Sequence, residues 1–145
     1  MKIEGKYSFN ISRRKLWDTL LDPDVLASCI PGCQEFRPTS EDRYAVSLKV
    51  GVGAVSGTYR ATVAVIDKVE PETYTMLVEG KGSGTTITGR GTMTLQETEQ
   101  GSEVSLVADA RVTGIIARVG QRLMGSASKS LVGQFFDCIR ARAEG

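Results

Sequence analysis

Residues 113–140 read TGIIARVGQRLMGSASKSLVGQFFDCIR. Before Gly114 apolar residues alternate singly with polar ones. After it they recur every three or four positions, at Ile116, Val119, Leu123, Ala127, Leu131, Phe135 and Ile139. That spacing belongs to an amphipathic helix. It predicts one helix of roughly thirty residues, about 40 Å long. No other segment is long enough to bundle with it, so it must lie across a sheet.

The sheet is legible upstream. From Lys2 to Phe9, Ile3, Gly5, Tyr7 and Phe9 alternate with polar residues, which predicts a half-buried strand. Ser12 caps a short helix through Leu21, with Leu16, Trp17 and Leu20 on one face. Asp22 and Pro23 open a second, running through Val25, Leu26 and Cys29 to Ile30-Pro31-Gly32. Strands follow, with inward sets Tyr44-Val46-Leu48-Val50, Val55-Gly57-Tyr59-Ala61-Val63-Val65, Tyr74-Met76-Val78-Gly80, Ile87-Gly89-Gly91-Met93-Leu95 and Val104-Leu106-Ala108-Ala110-Val112. Short turns at Gly51 to Gly53, Glu70 to Glu72, Gly82 to Gly84 and Gln100-Gly101 separate them. Sequential hairpins of this kind make an antiparallel meander. The order is one strand, two short helices, five or six strands and a long helix: an α+β fold in a single domain over residues 1–145.

Bulk composition narrows the function. With 41% hydrophobic and 24% charged residues, the chain can build a packed core. A net charge of +1 argues against a nucleic-acid partner. No signal peptide and no run of about 20 apolar residues is visible, which predicts a soluble cytoplasmic protein. The chain has no histidine, so the commonest general base and the commonest metal ligand are missing. Cys29, Cys33 and Cys138 are too few for a convincing zinc site and read as buried free thiols. No cofactor or metal is expected.

A sheet bent round a helix leaves space unless large side chains fill it. Here the inward positions are often small: Gly57, Ala61, Gly89, Gly91, Ala108 and Ala110 on strands, and Gly120, Gly125 and Ala127 on the helix. Four Phe, four Tyr and one Trp leave little bulky filler. A pocket for an apolar small molecule follows. Its expected wall is Tyr44, Leu48, Tyr59, Val63, Met76, Val78, Ile87, Gly89, Met93, Leu106, Ile116, Val119, Leu123 and Ala127. Its expected mouth lies between Leu26 and Ile30 of the second short helix, the segment Gly51 to Gly57, and the first half of the long helix. Gly51 to Gly57 lacks Gly-Lys-Ser/Thr and leads into a strand, so it reads as a hairpin loop and candidate lid, not a phosphate loop.

Trp17, the segment Asp22-Pro23-Asp24-Val25-Leu26-Ala27-Ser28-Cys29-Ile30-Pro31-Gly32-Cys33, the strand Gly89-Arg90-Gly91, and the stretches Gly120 to Leu123 and Gln134 to Phe136 resemble the G-subunit family of carbon monoxide dehydrogenase. That family lies in the START-like, or Bet v 1-like, SRPBCC superfamily of polyketide cyclases and lipid carriers. The resemblance implies the helix-grip fold, a curved antiparallel sheet wrapped round a long C-terminal helix. It also implies a hydrophobic cavity and association with a carbon monoxide dehydrogenase-type molybdenum hydroxylase, in membrane recruitment or quinone carriage. Some members carry a C-terminal extension used for membrane attachment; this chain stops at Gly145, just after its helix.

The leading expectation is therefore a non-catalytic carrier for a quinone or lipid, with peripheral contact at the inner face of the membrane. Two alternatives remain open, a cyclase or hydrolase and an assembly factor with a vestigial pocket. An enzyme would have to work with Tyr44, Tyr59 and Tyr74, the inward polar groups. Arg90 reads as a solvated arginine or as an anchor for a quinone carbonyl or partner carboxylate. Charge is uneven: Arg111, Arg118, Arg122, Lys129, Arg140 and Arg142 face only Asp137 and Glu144 over residues 111–145. That basic surface suits solvent, anionic lipid or an acidic enzyme partner.

Overall fold

The computed structural model describes residues 1–51 and 55–145, and for Gln121 the backbone alone. Its elements run β1 (Lys2–Phe9), α1 (Arg13–Leu20), α2 (Pro23–Cys29), β2 (Cys33–Ser40), β3 (Arg43–Val50), β4 (Gly57–Val69), β5 (Thr73–Gly82), β6 (Thr85–Thr98), β7 (Gly101–Gly114), a 3₁₀ turn (Ile116–Val119) and α3 (Gln121–Glu144). The strands form one sheet in the order β1-β7-β6-β5-β4-β3-β2, and every neighbouring pair is antiparallel. Seven strands curve around α3, and α1 and α2 close one end.

The alternating pattern sets the register. Tyr44 pairs with Val63, Val63 with Val78, Val78 with Gly89 and Gly89 with Ala110, so the inward residues form continuous rows across five strands. A slip of one residue would turn each row outward. Local chemistry fixes the short helices: the Lys15 N–H donates to Ser12 Oγ at 3.1 Å, and the Asp24 N–H donates to Asp22 Oδ1 at 2.9 Å.

Two elements depart from the sequence reading. β2 is an additional strand, at the sheet edge, where Pro38 removes no needed ladder donor. The long helix begins at Gln121, because Gly120 sits at φ 92°, a left-handed conformation that ends the 3₁₀ turn. α3 therefore has 24 residues and a length of about 36 Å.

Apolar packing divides in two. At the end closed by α1 and α2, Phe9, Leu16, Trp17, Leu20, Tyr74, Leu95, Val104, Phe136 and Ile139 form a sealed core, each at most 3% exposed. Trp17 meets Tyr74 edge-on at 5.4 Å, and Tyr7 stacks on Phe136 at 4.1 Å. At the other end a smaller cluster of Tyr59, Ile116 and Met124 gathers Leu48, Val50, Ile87, Val112 and Val119. The hollow lies beside this second cluster.

The cysteines are a correction. Cys29 at the end of α2 and Cys138 on α3 are joined in a disulfide, and Cys33 is the free thiol. Two residues separated by 109 positions leave no local pattern to pair them.

Candidate functional site: an apolar cavity beneath the long helix

Between the sheet and the N-terminal half of α3 lies a cavity of roughly 270 Å³. Leu48, Val50, Tyr59, Ala61, Val78, Gly80, Ile87, Ala110 and Val112 supply the sheet wall, with Ile3 at its edge. Ile116, Met124, Ala127, Ser128 and Leu131 supply the roof, and Met1 and Val55 complete the lining. The space exists because small residues share rows with modest ones. Ala61, Gly80, Ile87 and Val112 form one row, and Val78, Gly89 and Ala110 lie in the next. Where the row holds Tyr74, Met93 and Leu106 instead, the interior is filled.

The wall is chemically sparse. Among the described residues, its only polar side chains are Tyr59 and Ser128. The Tyr59 hydroxyl donates to the Val55 carbonyl at 2.7 Å, and burial pushes its pKa up, so it stays protonated at neutral pH. Ser128 Oγ lies 3.9 Å from Met1 Sδ. No carboxylate or cationic side chain of the described residues lines the space. Among the described residues, no cluster of three or more Cys, Asp or Glu could hold a metal. A wider depression of about 860 Å³ sits on the opposite face of the sheet, but it is open and lined by Glu35, Arg37, Arg60, Glu79 and Lys81.

Comparison with known proteins decides what carries this cavity. The family profile of the carbon monoxide dehydrogenase G subunit (CoxG) matches residues 5–144. The chain belongs to the CoxG family. A conserved protein from Geobacillus kaustophilus is 30% identical, with a TM-score of 0.96 over 99% of this chain and 95% of that one. Two more distant structures share the CoxG chain's fold. A START superfamily protein from Mycobacterium smegmatis is 11% identical with a TM-score of 0.72, covering 99% of this chain and 97% of that one. The Zhui aromatase/cyclase from Streptomyces sp. R1128 is also 11% identical with a TM-score of 0.72, covering 99% and 93%. No curated protein matches the sequence. The architecture is the START-like helix-grip fold.

In this CoxG-family cavity the expected residues separate into groups. Leu48, Tyr59, Val78, Ile87, Ile116 and Ala127 line it together. Val63 and Gly89 lie on the inward row beside Val78, and Val119 packs on the cluster at the hollow end. Met76, Met93 and Leu106 point inward but join the sealed core. Tyr44 stacks on Phe36 at 4.7 Å instead of reaching the cavity. Leu123 is a correction: it is 55% exposed, because a helix restarting after Gly120 turns Met124, Ala127 and Leu131 inward. Leu26 and Ile30 are corrections too. α2 packs at the closed end, so neither residue lines the cavity. Val52, Gly53 and Ala54 of the expected lid lie outside the described residues. Arg90 faces outward, 61% exposed, with Asp67 at 3.9 Å, and is no anchor for a guest. The expected wall left out Met1, Ile3, Val50, Val55, Ala61, Gly80, Ala110, Val112, Met124, Ser128 and Leu131; most of these already stood in the inward registers.

The surface above the cavity has its own character. Ile115 and Leu123 are 61% and 55% exposed. Arg118, Arg122 and Lys129 are exposed in the same stretch, Arg111 is exposed on the outer face of the sheet beside Thr88, and no acidic residue occurs between Asp109 and Asp137. Among the described residues, none of these four cations takes part in an ion pair. No described helix is long and apolar enough to cross a membrane.

Proposed function

We propose that this protein is a non-catalytic carrier that holds an apolar small molecule, a quinone or a lipid, beneath α3. In that role it serves as an accessory protein to a carbon monoxide dehydrogenase-type molybdenum hydroxylase, in membrane recruitment or in delivery of an electron acceptor. The observation that carries the reading is the wall: an apolar surface with two hydroxyls and, among the described residues, no carboxylate or cationic side chain. The family description supplies the partner class. A cyclase with the same fold supports an enzyme reading only at the level of architecture.

The cavity's size adds a constraint. About 270 Å³ equals the liquid volume of roughly nine waters. That suits a single ring or a short chain segment. A longer guest must thread past the roof or lift it. Native mass spectrometry with organic extraction of the purified protein tests the reading. A bound apolar molecule is expected; protein that emerges empty and takes up no apolar probe would sink it.

The exposed Ile115 and Leu123, with Arg118, Arg122 and Lys129 exposed in the same stretch and in no ion pair among the described residues, fit an anionic bilayer against the cavity's roof. Each neutralised arginine near such a surface is worth about 1 kcal/mol. The double change Arg118→Gln/Arg122→Gln should therefore weaken binding to phosphatidylserine vesicles by about 30-fold at low salt. Vesicle co-sedimentation measures this. Unchanged binding by the variant would exclude this face as the docking surface.

A further inference from the structure

α3 is held unevenly along its length. Its C-terminal half is pinned. Phe136 stacks on Tyr7, and Ile139 and Ala143 are buried. Arg140 lies over the Phe9 ring at 5.0 Å and donates to the Ser8 carbonyl, while the Asn10 N–H donates to Glu144 Oε1 at 2.9 Å. Its N-terminal half roofs the cavity and has little beneath it. A Cβ added at Gly125 or Gly133 would meet no atom within 4 Å, and neither residue has a positive φ. Neither packing nor backbone conformation requires glycine at these two positions, and each weakens the helix relative to alanine.

One covalent bond lies within the pinned half. Cys138 is seven residues, about two turns, beyond the cavity-lining Leu131 and is bonded to Cys29 at the end of α2. α2 is itself seated through buried Val25, Leu26 and Cys29. Close beside the bridge, the side-chain hydrogen bond that joins α2 to α3 is Arg142 Nη1 to Ser28 Oγ at 2.6 Å, and it is exposed to solvent. The disulfide thus ties α3 covalently to α2 two turns beyond the cavity's roof.

We infer that the Cys29–Cys138 bond is a redox latch: it sets how readily the N-terminal half of α3 lifts and how fast the cavity exchanges its guest. The guest-exchange part rests on the carrier reading; the effect on α3 does not. Opening the latch takes a dithiol reductant. Its thiolate attacks Cys138 Sγ, the partly exposed sulfur, and the bond to the buried Cys29 Sγ breaks; Cys29 leaves as thiolate and takes a proton. The reductant's second thiolate then displaces Cys138, which is protonated in turn. Two electrons have passed to the protein, and the reductant departs as a disulfide. Cys33 is not part of the bridge, and burial pushes its thiol pKa up.

Hydrogen exchange on the full chain tests the latch, with the protein oxidised and then reduced by dithiothreitol. Residues 121–131 should lose protection about tenfold relative to β6 and β7 on reduction. The dissociation rate of bound anilinonaphthalene sulfonate should rise by a similar factor. Cys138→Ser should match the reduced protein in both readouts, and Cys33→Ser should match the oxidised protein. Equal protection of residues 121–131 in the two redox states overturns the latch. Alkylation that finds three free thiols in protein treated with oxidised glutathione overturns it too. Redox-dependent protection in protein that takes up no apolar probe keeps the latch on α3 while sinking the carrier reading.

Discussion

Phe136→Ala should remove about 3–5 kcal/mol of stability, while Leu48→Ala should remove less than about 2 kcal/mol. The two residues lie on opposite sides of the division in the interior. Phe136 is 0% exposed, stacked on Tyr7 at 4.1 Å and edge-on to Phe135 at 5.1 Å. Deleting its ring opens a new void among side chains that α1, β1 and α3 hold in place. Leu48 already faces an empty volume, so its neighbours forfeit fewer contacts when it shortens. Urea unfolding at constant slope reads both losses from the shift in midpoint. Equal losses would mean that the hollow end is as tightly packed as the sealed one.

That division was the least legible feature of the sequence. Period-2 alternation located six of the seven strands, and the inward rows through Tyr44, Val63, Val78, Gly89 and Ala110 follow its register. The same alternation cannot say which part of an inward row meets α1 and α2 and which meets empty space. Met93 and Ile87 stand three positions of one face apart on β6, yet one packs against the sealed core and the other lines the cavity. The difference comes from the seating of the two short helices, a tertiary fact. β2 escaped notice because Cys33–Ser40 is polar and contains Pro38, which only an edge strand tolerates. Leu123 was misplaced because the helical period was extended through Gly120, whose φ of 92° breaks it. The disulfide spans 109 residues and has no local signature at all.

Filling the cavity should separate binding from stability. Gly89→Leu enters from the sheet, where a Cβ would find its nearest atoms at 3.8 and 4.0 Å. Ala127→Phe enters from the roof, where Ala127 is 7% exposed and lines the space. Either side chain should occupy the volume a guest would take. The double variant should weaken binding of an apolar probe by at least about 100-fold, a loss of more than ~2.7 kcal/mol. Stability should hold or rise, since each new side chain buries apolar surface worth about 25 cal/mol per Å² without displacing packed neighbours. A filled interior behaves oppositely: extra methylenes there cost about 1–3 kcal/mol through forced rotamers and backbone shifts. Ala143→Phe provides that contrast within the same helix, because Ala143 is 1% exposed in the pinned half of α3. Probe titration and urea unfolding of the variants together decide the matter. Lost probe binding with retained stability marks a cavity built to be occupied. Marked destabilisation by Gly89→Leu and Ala127→Phe, with probe binding intact, would place the guest elsewhere on the molecule.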